Sequence, residues 1–382
     1  MAAPELTILL MLKDRTAFTF RWMSYHNHVR FPFRVLIADG GSDERVQDAL
    51  STRQAYPHVD FEYVRYPHDS TYADFHAKVS DALSRVRTPL VALADNDDLF
   101  VVSGVRTAVD FMQRHADYST CGGQGAAFWI EPADAANRAD RLYGSRITWK
   151  ASREDRSLTG ETAADRLRNI SIRASDASYY HIRRTEDVRR HFISIHRANP
   201  RDPFLAERMT IALAAVSGKT KQLDHLYIAR QWNPPESTGR SYAAAHGDWL
   251  GRMLAPTWSG DFTALVDVVS AELAARDRVP EDEARRTVIE ASQAWLAPHV
   301  LTDVVAEPTV TLRMVLGVRV FRTLLRLSRD NVVRRAARGL YRRAPWISVD
   351  SIHGTEWRSR HVPEADRALK PILEFLDRVP NQ

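Results

Sequence analysis

Through the first third of the chain, apolar runs of strand length alternate with stretches of helical spacing. Residues 6–12, Leu-Thr-Ile-Leu-Leu-Met-Leu, are almost unbroken in apolar character, the pattern of a strand buried on both faces. Helix-compatible spacing follows over residues 16–28, and a second strand is expected at 33–38. Ser42 is a suitable N-cap for a helix running to Leu50, with Asp43 and Glu44 placed favourably against the helix dipole. A third strand is expected at 60–65, a helix at 72–86 and a fourth strand at 89–94. Strands alternating with helices imply parallel βαβ units. The expected fold class is therefore α/β, with a Rossmann-like, mostly parallel central sheet.

From residue 128 to 162 the pattern loosens, and no element is expected before Tyr179. Residues 203–217 read as a helix with Gly218 as its C-cap, followed by a short strand at 222–230. Helical segments are expected near 243–254, 261–277 and 281–296, then a basic helical region at 310–343 and a polar tail. The chain divides on this pattern into an α/β domain, residues 1–240, and a helical C-terminal region, residues 241–382.

In parallel sheets ligands gather beyond the carboxyl ends of the strands. Three of the expected ends carry polar clusters: Lys13-Asp14-Arg15, Asp39-Gly-Gly-Ser42 and Asp95-Asn-Asp-Asp98. Carboxylates crowded after a buried strand repel one another unless a cation sits among them. Hard divalent ions take oxygen ligands and keep phosphate oxygens in their shell, so Asp95, Asp97 and Asp98 suit a metal bridging to a diphosphate. A turn with a capping Asp is the other reading of the tetrad.

Composition narrows the classes. With 382 residues, 44% apolar and 26% charged, the chain is globular and not disordered. A single cysteine, Cys121, excludes a disulfide scaffold and any multi-cysteine metal site, and is expected in the core. No apolar run approaches the length of about 18 residues needed for a transmembrane helix. The N-terminus reads as a strand and not a secretory signal, so a cytoplasmic setting is expected. The net charge of +5 is uneven: residues 313–343 hold ten arginines and one acid, leaving −4 for the rest. A nucleic-acid binder needs positive charge across its face, so that class is excluded.

The strand-end motifs resemble those of the family 2 glycosyltransferases of the GT-A fold, closest to a bacterial subgroup acting in surface-polysaccharide assembly. Asp39-Gly-Gly-Ser-Asp43 resembles the family's Asp-Gly-Ser-x-Asp segment, and Asp95-Asn-Asp-Asp98 resembles its DxD motif. Lys78 falls where the family keeps a basic residue, Glu207 where it carries its acidic base, and Tyr227-Ile-Ala-Arg-Gln231 resembles the strand that follows. The resemblance covers residues 5–235. It implies a GT-A-like domain and a metal-dependent, inverting transfer of a sugar from a nucleotide-sugar, UDP-sugar favoured, to a hydroxyl of a glycan or lipid-linked saccharide. Asp39 would then contact the base, Lys13 and Arg15 the base and phosphates, and Lys78 the diphosphate. Asp95 and Asp97 would contact ribose or sugar and Mn²⁺ or Mg²⁺, and Glu207 would deprotonate the acceptor. The family commonly has Glu-Asp at the base position, whereas this chain has Ala206-Glu207-Arg208, and Asp202 is a nearby rival.

Other residues carry two readings each. His225 is a further metal ligand or a satisfied strand histidine. Tyr179 and Tyr180 line the donor sugar or pack as an aromatic pair. Gly122-Gly-Gln-Gly125 lacks the context of a dinucleotide fingerprint and is expected to be a turn or a flexible sugar-site loop. The 310–343 segment is either an amphipathic helix in an anionic membrane interface, a peripheral contact at the inner face of the membrane, or a helix packed on the domain. Two rivals to the transferase stand. A sugar-phosphate nucleotidyltransferase wants a glycine-rich loop after the first strand, which Met11-Leu-Lys-Asp-Arg15 lacks; a non-catalytic glycan-binding or scaffold protein would not need the acidic tetrad with Glu207.

Overall fold

The computed structural model describes residues 5–131, 142–144, 146–152, 156–173, 176–232, 234, 242, 244, 245, 247, 249–306, 346–350 and 365–377. The basic segment 310–343, with both of its readings, lies outside the described residues.

The first half follows the expected alternation: β1 (Leu6–Leu12), α1 (Thr16–His28), β2 (Arg34–Asp39), α2 (Glu44–Leu50), β3 (Phe61–Arg65), α3 (Tyr72–Arg85) and β4 (Leu90–Ala94). These strands run parallel in the order β3-β2-β1-β4, with β1 central and buried at every position. That burial explains its unbroken apolar sequence. Asp43, and not Ser42, caps α2, its carboxylate accepting from the Arg45 N–H. Thr71 and Asp74 close a capping box on α3, which fixes where the loop after β3 enters that helix.

The second half is a different kind of sheet. After β5 (Leu99–Phe100) and α4 (Val102–Arg114) come β6 (Tyr118–Glu131), β7 (Arg146–Ser152), α5 (Ala163–Arg173), β8 (Ile182–Arg184), α6 (Thr185–Ala198), α7 (Pro203–Ser217) and β9 (Lys219–Gln231). β8 joins β4 to β6 through antiparallel pairs, β7 runs antiparallel to β6, and β9 lies parallel to β6 on its other side. The α/β class expected from sequence holds, and its parallel order is kept through the four N-terminal strands.

Gly122-Gly-Gln-Gly125 is not the expected turn or flexible loop; it lies inside β6. A side chain at Gly122 would stand 2.1 Å from the His181 ring, and one at Gly123 would stand 2.3 Å from the His225 carbonyl oxygen. The glycines let neighbouring groups come close across the sheet. This glycine content erased the strand pattern in the sequence. Gly218 is the C-cap of α7, as expected, and its backbone there is extended, with φ 178°.

The remaining described elements are α8 (Trp249–Met253), α9 (Trp258–Asp277), α10 (Glu281–Ala306), β10 (Trp346–Asp350) and α11 (Ala365–Leu376). Helices α5, α7, α9 and α10 share one apolar core that includes Leu205, Met209, Val269 and Val288. The C-terminal end returns to the sheet: β10 adds an antiparallel edge beside β7, and α11 buries Leu369, Ile372 and Leu376 in the main core. No described helix is long and apolar enough to cross a membrane.

Helix α4 lies so close to β9 that a Cβ on Gly104 would sit 2.0 Å from the Leu226 carbonyl oxygen. Because the clash is with backbone, Gly104→Ala should lower stability by about 1–3 kcal/mol, the usual cost of overpacking. Urea unfolding of the two proteins measures this.

Candidate functional site

The carboxyl ends of β1, β2 and β4 converge on one side of the sheet, beside a cavity of about 600 Å³. Four segments distant in sequence line it together: Lys13 and Arg15 after β1, Asp69 before α3, Asp95 after β4, and Glu207 on α7. Of the residues singled out in the sequence, Lys13, Arg15, Asp95 and Glu207 line this cavity, and Asp97 does not. Lys13 is exposed at its rim and Glu207 is half-buried.

The acidic tetrad is held by cations from elsewhere in the chain. Arg15 Nη2 lies 3.0 Å from Asp97 Oδ2. Arg21, buried on α1, donates to the Asp97 carbonyl at 3.0 Å and to Gln231 Oε1 at 2.7 Å. The antiparallel register of β5 on β9 pairs Leu99 with Ala229, which brings the next residues of β9 beside Asp98. Arg230 Nε and the Gln231 N–H accordingly donate to Asp98 at 3.0 and 3.1 Å. The Tyr180 hydroxyl donates to Asp95 Oδ2 at 2.5 Å, and Arg230 lies over the Tyr180 ring at 4.7 Å. Burial, together with the charge of Asp97, raises the Asp95 carboxyl above its ordinary range. Burial raises Asp98 to about 7, with Asp97 and Asp95 adding to the effect while Arg230 opposes it.

Asp14 and Arg15 both lie in the left-handed region, at φ 55° and 56°. Two successive non-glycine residues there cost about 1–2 kcal/mol each. Part of the compensation is visible: Asp14 Oδ1 accepts from the Ser42 N–H and hydroxyl, both at 2.8 Å. The strain aims Arg15 into the cavity mouth, where it also stacks on Phe18.

Asp39 and Lys78 lie behind the cavity wall and not on it. Asp39 is buried; its Oδ1 accepts from the Gly41 N–H at 2.8 Å, and its Oδ2 from Tyr63 at 2.6 Å and Arg65 at 2.7 Å. Lys78 is buried in an ion pair with Asp69 and donates to the Leu12 carbonyl at 2.7 Å. Gly40 makes this possible, because a Cβ there would sit 2.4 Å from Asp69 Oδ1. Burial raises the Asp69 carboxyl and lowers the Lys78 ammonium from their ordinary values.

Asp202 is engaged elsewhere. It caps α7 by accepting from the Phe204 and Leu205 N–H groups, and Arg252 forks onto both of its oxygens at 2.8 and 2.9 Å. His225 is exposed on β9 and does not line the cavity. Cys121 is buried, and burial pushes its thiol up to about 12. Sequence reading missed Asp69, Arg21 and His76 as site residues. Each is a single polar residue within a stretch whose pattern signals only helix or loop.

Among the described residues, no group of three or more His, Cys, Asp or Glu side chains is placed to hold a metal ion by itself. Asp95 and Asp97 offer only hard oxygen donors. They fit a Mg²⁺ or Mn²⁺ whose remaining ligands are water and a bound diphosphate, and do not form an all-protein cage.

No family model matches the chain, and no curated protein matches it by sequence. Solved structures do resemble it. The Staphylococcus aureus TarS fragment 1–349 in complex with UDP-GlcNAc is 12% identical, with a TM-score of 0.45, over 77% of this chain and 73% of that one. Full TarS is also 12% identical, with a TM-score of 0.44, over 80% of this chain and 45% of that one. The mannosyltransferase PcManGT from Pyrobaculum calidifontis, in complex with GDP-Man and Mn²⁺, is 12% identical with a TM-score of 0.41, over 87% and 83%.

Removing one partner of a buried ion pair strands the other, so Lys78→Met should cost about 3–5 kcal/mol near neutral pH. The deficit should shrink on acidification. A carboxyl whose folded pKa lies above its unfolded value contributes stability below the unfolded value and loses it as pH rises. Without Lys78 the Asp69 shift grows in that direction. Urea unfolding at pH 5 and pH 8 should show the larger deficit at pH 8.

Proposed function

We propose that the chain is a GT-A-like, family 2 type glycosyltransferase that moves a sugar from a nucleotide-diphosphate sugar to a hydroxyl of a glycan or lipid-linked saccharide, with inversion. UDP is the nucleotide favoured. The observation that carries this reading is a single cavity bearing cations at one end, Lys13 and Arg15, and a half-buried carboxylate, Glu207, on the helix facing them.

The chemistry follows from that arrangement. Glu207 takes the proton from the acceptor hydroxyl, whose oxygen forms the new bond to the anomeric carbon. The bond from that carbon to the diphosphate oxygen breaks on the opposite face, and the electron pair leaves with the diphosphate. Lys13 and Arg15 stabilise the charge developing there. Asp95 and Asp97 would hold the Mg²⁺ or Mn²⁺, which when bound supplies further positive charge to the leaving group. Arg15 would shift from Asp97 toward the phosphate oxygens, for which its planar fork is suited. Lys78 and Asp39 act from behind the wall, Lys78 by fixing Asp69 and Asp39 by fixing Arg65 and the Gly41 turn. The cap that Asp202 makes and its bond to Arg252 favour Glu207 over Asp202 as the base.

Calorimetric titration with UDP, GDP and dTDP, with Mn²⁺ and again with EDTA, tests the donor half. Binding of one nucleotide that is lost with EDTA is the expected result. No binding by the folded protein would sink the transferase reading. Glu207→Gln tests the other half: nucleotide affinity should hold while transfer falls by about 10²–10⁴-fold, the usual worth of a general base. Near-normal transfer would remove Glu207 from the role.

A further inference from the structure

Strand β9 carries the cavity face past the acidic tetrad. Arg230 pairs with Asp98 at 3.0 Å and lies over the Tyr180 ring at 4.7 Å, and Tyr180 lines the cavity. Side chains alternate along a strand. Gln231 accordingly turns to the other face, where its Oε1 accepts from Arg21 on α1 at 2.7 Å, and Trp232 returns to the face of Arg230. The Trp232 N–H still donates to the Phe128 carbonyl at 3.0 Å, so the pairing with β6 continues. The parallel register sets Ala127 beside Arg230 and Phe128 beside Gln231, which puts Trp129 beside Trp232. Their ring centroids are 5.8 Å apart, with the planes at 50°. Thr148 on β7 stands opposite Trp129 and borders the pair.

Trp232 is 52% exposed and Trp129 half-buried, whereas Trp22, Trp149, Trp258 and Trp295 are buried in the two cores. A large ring left in water beside a second ring is the kind of surface that marks a binding site. The pair lies only about 7 Å along the strand from Arg230, and through Arg230 it is continuous with Tyr180 and the tetrad. It is also on the far side of the tetrad from the lining cations. Strands β8 and β4 separate β6 from β1, after which Lys13 and Arg15 stand. A nucleoside diphosphate held by those cations leaves the β6–β9 side to the second substrate.

The chemistry of the surface narrows that substrate. Two indoles offer flat, electron-rich faces, which attract the partly positive C–H groups of a sugar ring. Arg230 and Thr148 at the border offer polar groups to its hydroxyls. A long hydrocarbon chain would instead cover those polar groups without meeting them, and a linear polyol has no flat C–H face to lay on an indole. We propose that Trp129 and Trp232 form the platform on which a pyranose ring of the acceptor stacks, so that the acceptor is a ring-bearing glycan and not a linear polyol. Trp232 is thereby a specificity-determining residue. The proposal rests on the transferase reading above and names the acceptor class for that reaction.

The test is fluorine NMR on the full chain carrying fluorinated tryptophan, with the signals of Trp129 and Trp232 assigned from Trp129→Phe and Trp232→Phe. The probes are maltotriose, cellotriose, mannotriose and chitotriose, with ribitol and glycerol phosphate as ring-free comparisons, each added beside the nucleoside diphosphate that binds. At least one trisaccharide should move both signals saturably, and the polyols should move neither. Trp232→Ala should weaken that trisaccharide about tenfold by saturation-transfer NMR, the scale of one stacking contact, while nucleotide affinity stays within about twofold of the parent. Trp232→Tyr, which keeps a flat ring, should recover most of the binding, and a purely structural role would not predict that recovery. Trp232→Gln serves the same comparison where Trp232→Ala does not fold. Signals unmoved by every trisaccharide, moved as far by ribitol, or moved by the nucleotide alone would each overturn the proposal, as would trisaccharide binding unchanged in Trp232→Ala. Nucleotide titration of the same samples separates these outcomes from a failure of the transferase reading, in which no nucleotide binds.

Discussion

Three carboxylates crowd within four residues at the end of a strand, and remote parts of the chain supply cations to two of them and the Tyr180 hydroxyl to the third. Asp97 takes Arg15 from the β1 end, and Asp98 takes Arg230 from β9. Arg21 on α1 ties the Asp97 carbonyl to the Gln231 side chain. Each partner sits on an element that must be fully placed before the charge is balanced. The tetrad and the sheet around it are therefore a mutual condition: β9 cannot slip its register on β5 without stranding Asp98, and α1 cannot tilt without releasing Arg21. Stranding a buried charge costs more than the pair itself contributes, so this arrangement enforces geometry more than it adds stability.

The same logic applies on the other side of the cavity at smaller scale. Asp69 and Lys78 form a buried pair over Gly40, and the absence of a side chain at that glycine is what lets the carboxylate approach the end of β2. The basic residue that resembles a diphosphate contact by sequence position is thus engaged within the wall. Among the described residues that line the cavity, Lys13 is the exposed cation, and Arg15 has a strained, left-handed backbone. Positive charge faces the cavity where the chain bends, and structural pairing occupies the helix behind it.

Helix α7 links the two halves of the cavity to the helical core. Its N-terminus is fixed by Asp202, which Arg252 grips from α8 while stacking on Trp249 at 3.9 Å and Phe204 at 4.1 Å. Its buried face joins α5, α9 and α10, and its remaining face presents Glu207 and Thr210 to the cavity. The helical region after residue 241 therefore contributes to the site by holding α7 in place.

The sequence by itself determined the parallel half of the sheet, because strands buried on both faces must be continuously apolar and their helices must alternate with them. It also determined that the polar clusters after β1, β2 and β4 would lie at one edge, since parallel strands end together. Sequence did not reveal β6, where glycines needed for close approach to His181 and to the His225 carbonyl look like loop residues, or the return of the chain to the sheet through β10 and α11. It could not tell which charged residues are paired internally and which face the cavity. Lys78, Asp39 and Asp202 are as polar in the sequence as Lys13, Asp95 and Glu207, and their difference lies in partners 9 to 50 residues away. Only the tertiary structure decides that, because a charge is functional or structural according to what has been brought next to it.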